Sequence, residues 1–592
     1  MEYLQNITLF WRDDLNQKYK SIYQESIKNR EKFWKEISND VFWYKKPTKI
    51  LNSDNPPFYK WFEDGVTNTC YNALDLHIEE GRGDKLAIIY DSPITGSKKN
   101  ITYNELRDRV ALFAGALKNQ GINKGDRIII YMPMIPEAVI AMLACGRIGA
   151  VHSVVFGGFA ANELASRIDD SKAKLLVTAS CGYEPGRTVH YKPLVNKALE
   201  LANHKPDKCI IFQREKDKAE LDSKIDITWE DAHKNAKPAE CEKMNANEYA
   251  YILYTSGTTG RPKGVPRSHE VEIFASVNCI AQLHYKYNDS NLGVMPLFHT
   301  MGIRTLLMSA FLDSAFVCLP TYDTKKLVEL IDSEKINNLF LVPTMFHDLV
   351  HSNLAEFNLS SVKNIAYAGM SMTTNLVLKC SELFPKAEFS NFYGSSEIYT
   401  FAVRNNLAEN PGSAGLAGIG QTLKIVKADP DSLIQPNEEV PIGETGEIIA
   451  SMASLDAFSG YWKRPDADEK AIRNGWYFTG DLGKFDKTGE IYVLGRVDDM
   501  IISGGENIYA ALNILRYNPK HASKNIEKLL LSAINNWEQK NEGSDPVEAN
   551  LIVKEIYVDS ARMLKRIQAA PQGRAHRIRK RSNHVTLIID KG

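Results

Sequence analysis

The stretch Tyr254-Thr255-Ser256-Gly257-Thr258-Thr259-Gly260-Arg261-Pro262-Lys263-Gly264 governs the reading of the residues on either side of it. Glycines and small hydroxylated residues let a loop wrap closely around a phosphate chain. Backbone N–H groups and hydroxyls then act as donors, and Lys263 adds a cation. Spacing excludes a Walker A loop, which needs Gly-x4-Gly-Lys-Ser/Thr, because the residue five after Gly257 is Pro262. A merely flexible turn would not account for Pro262-Lys263-Gly264 in tandem, so the loop reads as a polyphosphate grip of another kind.

Moving outward, short β-branched runs alternate with helical stretches: 85–89, a helix over 103–120, 127–131, a helix over 136–148, and 151–155. The same rhythm returns at 338–342, 364–368 and 388–393, which predicts an α/β protein with parallel sheets. The most apolar stretch, 128–159, is interrupted by Pro133, Pro136, Glu137 and Arg147 and reads as a buried strand-helix-strand unit, not a membrane span. Apolar residues at helical spacing over 12–38 predict an N-terminal helix or pair. Glycine-punctuated strands and turns over 447–493 predict a small β-rich subdomain within about 410–495.

With 44% hydrophobic and 24% charged residues in 592, a substantial core is available. The start carries no basic and apolar leader, and the eight cysteines show no CxxC spacing, so a cytoplasmic protein with reduced thiols is expected. The net charge of −1 hides an asymmetry: residues 509–592 hold 15 Lys or Arg against 8 Asp or Glu, leaving the body acidic.

Four further motifs follow in order. They are Pro296-Leu297-Phe298-His299-Thr300, Tyr393-Gly394-Ser395-Ser396-Glu397, Gly475-Trp476-Tyr477-Phe478-Thr479-Gly480-Asp481 and Gly495-Arg496-Val497-Asp498-Asp499-Met500-Ile501. With the phosphate loop they make residues 1–508 resemble the AMP-forming acyl-CoA synthetases of the adenylate-forming enzymes. The resemblance implies a large domain over 81–495 after a helical extension over 1–80, with ATP, Mg2+ and coenzyme A as reactants. It implies two steps: a carboxylate attacks the α-phosphate of ATP to give acyl-AMP and pyrophosphate, then the thiol of coenzyme A displaces AMP.

By that resemblance Thr255, Ser256, Gly257, Thr258, Thr259 and Gly260 with Lys263 hold the phosphates, and Ser396 donates to the α-phosphate. Glu397 holds the magnesium, a hard cation that prefers oxygen ligands. Gly369, Met370 and Ser371, with Asn391, Phe392, Tyr393, Gly394 and Ser395, form the adenine slot. Asp481 accepts from the ribose hydroxyls and Arg496 donates beside it.

Before the loop the chain is similar to the propionate and acetate branch, in Tyr90-Asp91-Ser92-Pro93-Ile94-Thr95-Gly96, in Phe156-Gly157-Gly158 and in the run ending at Arg187; the last two segments are implied coenzyme A contacts. From about Val265 the likeness shifts toward ligases of aryl or medium-chain acids. A natural mosaic and a chain assembled from two relatives both produce such a seam. His299, Thr300, Met301 and Gly394 are the implied acyl pocket. Gly394 stands where the acetate branch has a bulky Trp, so a larger acyl group is expected to enter.

Asp498 is the implied hinge, within 496–508, of a lid that would deliver a catalytic lysine. No Pro-Lys-Thr-x-x-Gly-Lys segment follows it, and severe slowing of adenylation is expected. Instead, 509–592 offers helical patterns at 511–520 and 522–537, a strand at 549–557, a run with Arg562, Lys565, Arg566, Arg574, Arg577, Arg579, Lys580 and Arg581 but no acid, and a strand at 583–589. Two strands flanking an arginine-rich loop suit a phosphate backbone. Around Gly573-Arg574-Ala575-His576-Arg577-Ile578-Arg579-Lys580-Arg581 the segment resembles the large-subunit ribosomal protein whose hairpin reaches the exit tunnel. The implied fold is a small α+β fragment in place of the lid, with ribosomal RNA as partner. The alternatives are an RNA-binding protein carrying a synthetase passenger and a non-physiological chimera.

Overall fold

The computed structural model describes residues 15–184, 186–255, 262–429, 432–497, 523–541, 551–560, 564–569, 575–580 and 583–591. It divides into a body (to Ala428, with Ser432–Val497) and a second unit (Asp429–Asp431 with Asp498–Gly592).

The body holds two large sheets of mainly parallel strands. The first runs, in spatial order, Asp226–Thr228, Lys208–Phe212, Leu175–Ala179, Arg127–Met132, Val151–Phe156, Tyr249–Thr255 and Lys263–Ser268; only the last pair is antiparallel. Arg127–Met132 and Leu175–Ala179 are buried almost throughout, because helices cover both faces. The covering helices start where the chain provides for it. Tyr103–Asn119 opens on a capping box between Thr102 and Glu105, and Pro136–Arg147 carries Pro at its first position.

The second sheet orders nine strands around a parallel centre that includes Asn338–Leu341, Asn364–Tyr367 and Glu388–Tyr393. A five-stranded antiparallel sheet follows between Leu423 and Arg496.

The N-terminal helices Leu15–Lys28 and Arg30–Ile37 pack into the body: Tyr23 donates to the Gln421 carbonyl at 3.0 Å, and Ser26 Oγ accepts from Gly420 N–H at 2.9 Å. Pairs also cross the seam near Val265. The buried carboxylate of Asp313 is met by Arg82 at 3.1 Å and by Lys85, and Tyr103 donates to the Ser314 carbonyl at 3.1 Å. No helix among the described residues is long and apolar enough to cross a membrane.

In the second unit a helix spans Ser523–Lys540, and Leu551–Ser560 pairs antiparallel with Asn583–Lys591. The arginine-rich stretch is not an open loop. Leu564–Ala569 pairs with Ala575–Lys580, setting Lys565 opposite Arg579 and Ile567 opposite Arg577. The basic run is thus part of an antiparallel ladder of its own. The expected helix at 511–520 and Arg562, Arg574 and Arg581 lie outside the described residues.

Candidate active site

The antiparallel pair Tyr249–Thr255 and Lys263–Ser268 closes on Thr255 opposite Lys263, so both ends of the phosphate loop are fixed by a strand ladder. Ser256 to Gly260 lie outside the described residues. Lys263 Nζ stands 4.5 Å from the centroid of Tyr461, whose hydroxyl donates to Glu397 Oε1 at 2.7 Å. Burial, and the negative Glu397 beside it, push the Tyr461 pKa up, so the phenol stays a donor.

The turn after Glu388–Tyr393 is held by Ser395, whose hydroxyl accepts from the N–H groups of Glu397 and Ile398, both at 3.2 Å. Beneath it lies a buried triad. Arg267 donates to Glu272 at 2.8 Å, Arg304 donates to the other carboxylate oxygen at 3.0 Å, and Arg267 also reaches the carbonyls of Ser396, Glu397 and Asp456 at 3.3, 3.4 and 3.0 Å. The backbone carrying Ser396 and Glu397 therefore rests on a fixed cation.

Asp481 and Arg496 face each other across two paired strands and form a 2.6 Å ion pair. Tyr393 donates to the second Asp481 oxygen at 2.7 Å, and burial keeps that phenol neutral. Tyr477 lies within electrostatic reach of both Glu397 and Asp481, so the two groups are neighbours across this buried ring. Asn391 donates to the Ser413 carbonyl at 3.1 Å, and Phe392 is buried against Tyr399. Gly369 adopts φ +90°, a conformation open to glycine, and Met370 beside it is largely exposed, as is Ser371.

His299 caps the helix Thr300–Phe311, its Nδ1 accepting from Met301 N–H at 3.2 Å. His299 is exposed, and the protein packed on one side of it lowers its pKa. Tyr399 donates to the Thr300 carbonyl at 2.6 Å and stacks under Arg304, and Met301 packs in the same core. Gly394 corrects the sequence reading. A Cβ there would lie 1.8 Å from the Tyr399 carbonyl oxygen, so the position is glycine because two stretches of main chain touch. Close main-chain approach thus accounts for the glycine, and its missing side chain is not by itself a measure of acyl-pocket volume.

Phe156 packs against Phe298 with ring centroids 5.1 Å apart, joining the Phe-Gly-Gly segment to the loop that carries His299. The Gly157 carbonyl accepts from Tyr191, and Gly158 donates its N–H to Tyr131 at 3.2 Å. Arg187 is exposed and pairs with Glu184 at 2.6 Å, and a methyl group on Gly158 would lie 3.6 Å from that glutamate. Asp498 lies outside the described residues. Lys565, Arg566, Arg577, Arg579 and Lys580 are placed only as positions on the second unit's paired strands.

Sequence reasoning missed Tyr461, Arg267, Glu272 and Arg304. Nothing in the run Phe458-Ser459-Gly460-Tyr461 signals phosphate chemistry, because the contribution of Tyr461 is its place beside Lys263 and Glu397. The triad could have been sought as three charges in otherwise apolar helical and strand patterns.

Residues 77–462 match the family described as AMP-binding enzyme, and residues 19–73 match the acetyl-coenzyme A synthetase N-terminus. The chain therefore belongs to the AMP-binding enzymes and falls in their class of AMP-forming acid–CoA ligases. It is 35% identical over 522 residues to the mitochondrial acyl-CoA synthetase short-chain family member 3 of Rattus norvegicus, covering 83% of this chain and 74% of that protein. Its likeness to the Homo sapiens member is 35% over 521 residues, with the same coverage. To the acetyl-coenzyme A synthetase of Laribacter hongkongensis it is 31% over 513 residues, covering 83% and 77%. Residues 499–590 match the ribosomal protein L22p/L17e family.

Proposed function

We propose that the body activates a small carboxylic acid as an acyl-adenylate and passes the acyl group to coenzyme A. The observation that carries this reading is the pair of contact sets, Lys263 with Tyr461 and Glu397, and Tyr393 with Asp481 and Arg496, joined through Tyr477. One set has a cation and a carboxylate for a metal–triphosphate, and the other has an acceptor–donor pair for a ribose.

Glu397 is not in a cluster of three protein ligands; among the described residues only Cys70, Asp75 and Cys241 form one. A single carboxylate fits magnesium, which commonly takes one or two carboxylates and completes its shell with phosphate oxygens and water. Bound there, magnesium would neutralise charge on the phosphates. Lys263 and the loop hold the triphosphate, Ser396 orients the α-phosphate, and the acid lies by His299 and Thr300. Phe156, Gly157, Gly158 and Arg187 offer a surface for the nucleotide of coenzyme A.

The segment that would carry the lid's lysine is L22-like here, so adenylation runs about 10²–10³ slower than in relatives with that cation. Pyrophosphate exchange driven by propionate decides this: measurable but slow exchange is expected. Exchange at the pace of intact synthetases sinks the impairment, and absence of ATP binding with magnesium sinks the whole reading.

A second reading concerns the tail. Lys565 and Arg579 hold paired positions on the ladder that carries the basic run, and cations so concentrated in sequence suit a phosphate backbone. We propose that the second unit binds RNA backbone, with a salt slope of about −0.7 per phosphate contact on single strands. Filter binding to ribosomal RNA at several salt concentrations checks it, and a flat salt response would refute it.

A further inference from the structure

We infer that the crevice outside the strand ends Met132, Ala179 and Phe212 binds a phosphate-type oxyanion, at a site separate from the nucleotide cleft. The topology puts a crevice there. From Arg127–Met132 the chain crosses to Val151–Phe156 on one side, and the next strand, Leu175–Ala179, is laid on the other side of Arg127–Met132. In open parallel sheets, ligands bind outside the carboxyl ends of the strands at such a reversal.

The crevice encloses about 90 Å³, room for one tetrahedral oxyanion. Arg214 lines it and is 9% exposed. Its main-chain N–H is fixed by Ser180 Oγ at 2.9 Å and its guanidinium lies 4.7 Å from the Tyr183 ring centroid. Among the described residues no carboxylate or carbonyl accepts from that guanidinium. None of its guanidinium nitrogens is sealed from solvent, so the cation is accessible to an anion entering the crevice. Tyr183 lines the same space, its buried Oη next to the Cys181 thiol and the Lys216 main chain.

The N-terminus of the twelve-residue helix Pro136–Arg147 opens onto the crevice and adds positive potential. Lys99 and Lys216 supply two more cations against the carboxylates of Glu137 and Glu215. Glu137 is already drawn to Lys99 at 3.6 Å, which leaves Arg214 facing the space. Burial pushes the Tyr183 phenol up to about 12, so it meets an anion as a neutral donor.

The site is distinct from the Phe156-Gly157-Gly158 surface. In the hairpin of Cys181–Glu184 with Arg187–His190, Tyr183 pairs with Thr188 and Glu184 with Arg187. Neighbouring positions on a strand face opposite sides, so Tyr183 faces the crevice while Glu184 approaches Gly158.

Equilibrium dialysis of the full chain against labelled inorganic phosphate, at ionic strength fixed with chloride, tests the inference. A saturable site is expected that survives Lys263→Ala. Arg214→Gln should weaken it at least tenfold, and Lys99→Ala and Lys216→Ala several-fold. Both lysines are exposed, so their variants answer the question even if Arg214→Gln fails to fold. In the Lys263→Ala background, displacement of label by AMP would mean that the site accepts a phosphate monoester, and no displacement would mean that it takes the free anion. The inference is overturned if binding is not saturable, if it disappears with Lys263→Ala, or if it is unchanged in the Arg214, Lys99 and Lys216 variants.

Discussion

Gly394 shows how one residue's environment reverses its meaning. From the sequence, hydrogen in place of an indole is extra space; in the fold, the direction a side chain would take is occupied by the Tyr399 carbonyl. Gly394→Ala is therefore expected to destabilise the body by about 1–3 kcal/mol, as overpacking does, without moving the preferred acid length. Urea unfolding and an acyl-chain profile check this, and a stable variant with a shortened preference would restore the open-pocket reading. Asp481 is the second case. It takes Tyr393 and Arg496 on separate oxygens, leaving a charged acceptor fixed in place. Asp481→Asn should lose about 1.5–3 kcal/mol of ATP binding, roughly 10- to 150-fold in Kd. Calorimetry showing wild-type affinity would remove Asp481 from the nucleotide clamp.

Among the elements, the helix His269–Gln282 does more than cover a sheet. It brings Glu272 between Arg267, on the strand after the phosphate loop, and Arg304, on the helix behind His299. Three elements are thus tied together under the Ser396–Glu397 turn. Arg267→Met leaves Glu272 with one cation and frees three carbonyls, and breaking a buried pair in this way costs about 3–5 kcal/mol. The expected outcome is a lower urea midpoint together with weaker magnesium–ATP binding. An unchanged nucleotide affinity in a folded variant would make the triad purely structural. Helix and strand positions near this triad were legible from periodicity. The triad itself was not, since its three members lie on different elements and no local pattern links them.

For the body as a whole, buried imidazoles set an acid limit. Burial lowers His77 to about 4, His152 to about 3 and His269 to about 4, so each is neutral when folded and takes a proton near 6.5 when unfolded. The unfolded chain then binds more protons, and stability falls as pH drops from about 6.5 toward 4. Glu270 acts the other way: burial raises it to about 7, so its contribution falls as pH rises from about 4.5 to 7. His299 joins the first set, and Glu447, Asp456 and Asp468, whose carboxyl pKa burial also raises, join Glu270, so the fall in stability below 6.5 is the difference between the two sets. Urea midpoints at pH 5 and 7 read this slope. His152→Gln should flatten it and Glu270→Gln steepen it, and equal midpoints in the wild type would contradict it. At the same scale, the contacts of Asp313 with Arg82 and Lys85 tie residues on both sides of Val265 into one body.

The sequence by itself determined the class of chemistry, since the phosphate loop, the Tyr393–Glu397 motif and Asp481 with Arg496 are local patterns whose function follows from residue type and order. It also determined the α/β alternation, because hydrophobic period reports which faces are buried. Only the tertiary structure decided that Tyr461 stands between Lys263 and Glu397, that Arg267 underlies the turn, that Gly394 is a close main-chain contact, and that Arg214 is largely buried with no hydrogen-bonded acceptor for its guanidinium. Those facts depend on distances between segments remote in sequence, and a linear pattern carries no information about which main chain or side chain will arrive from elsewhere.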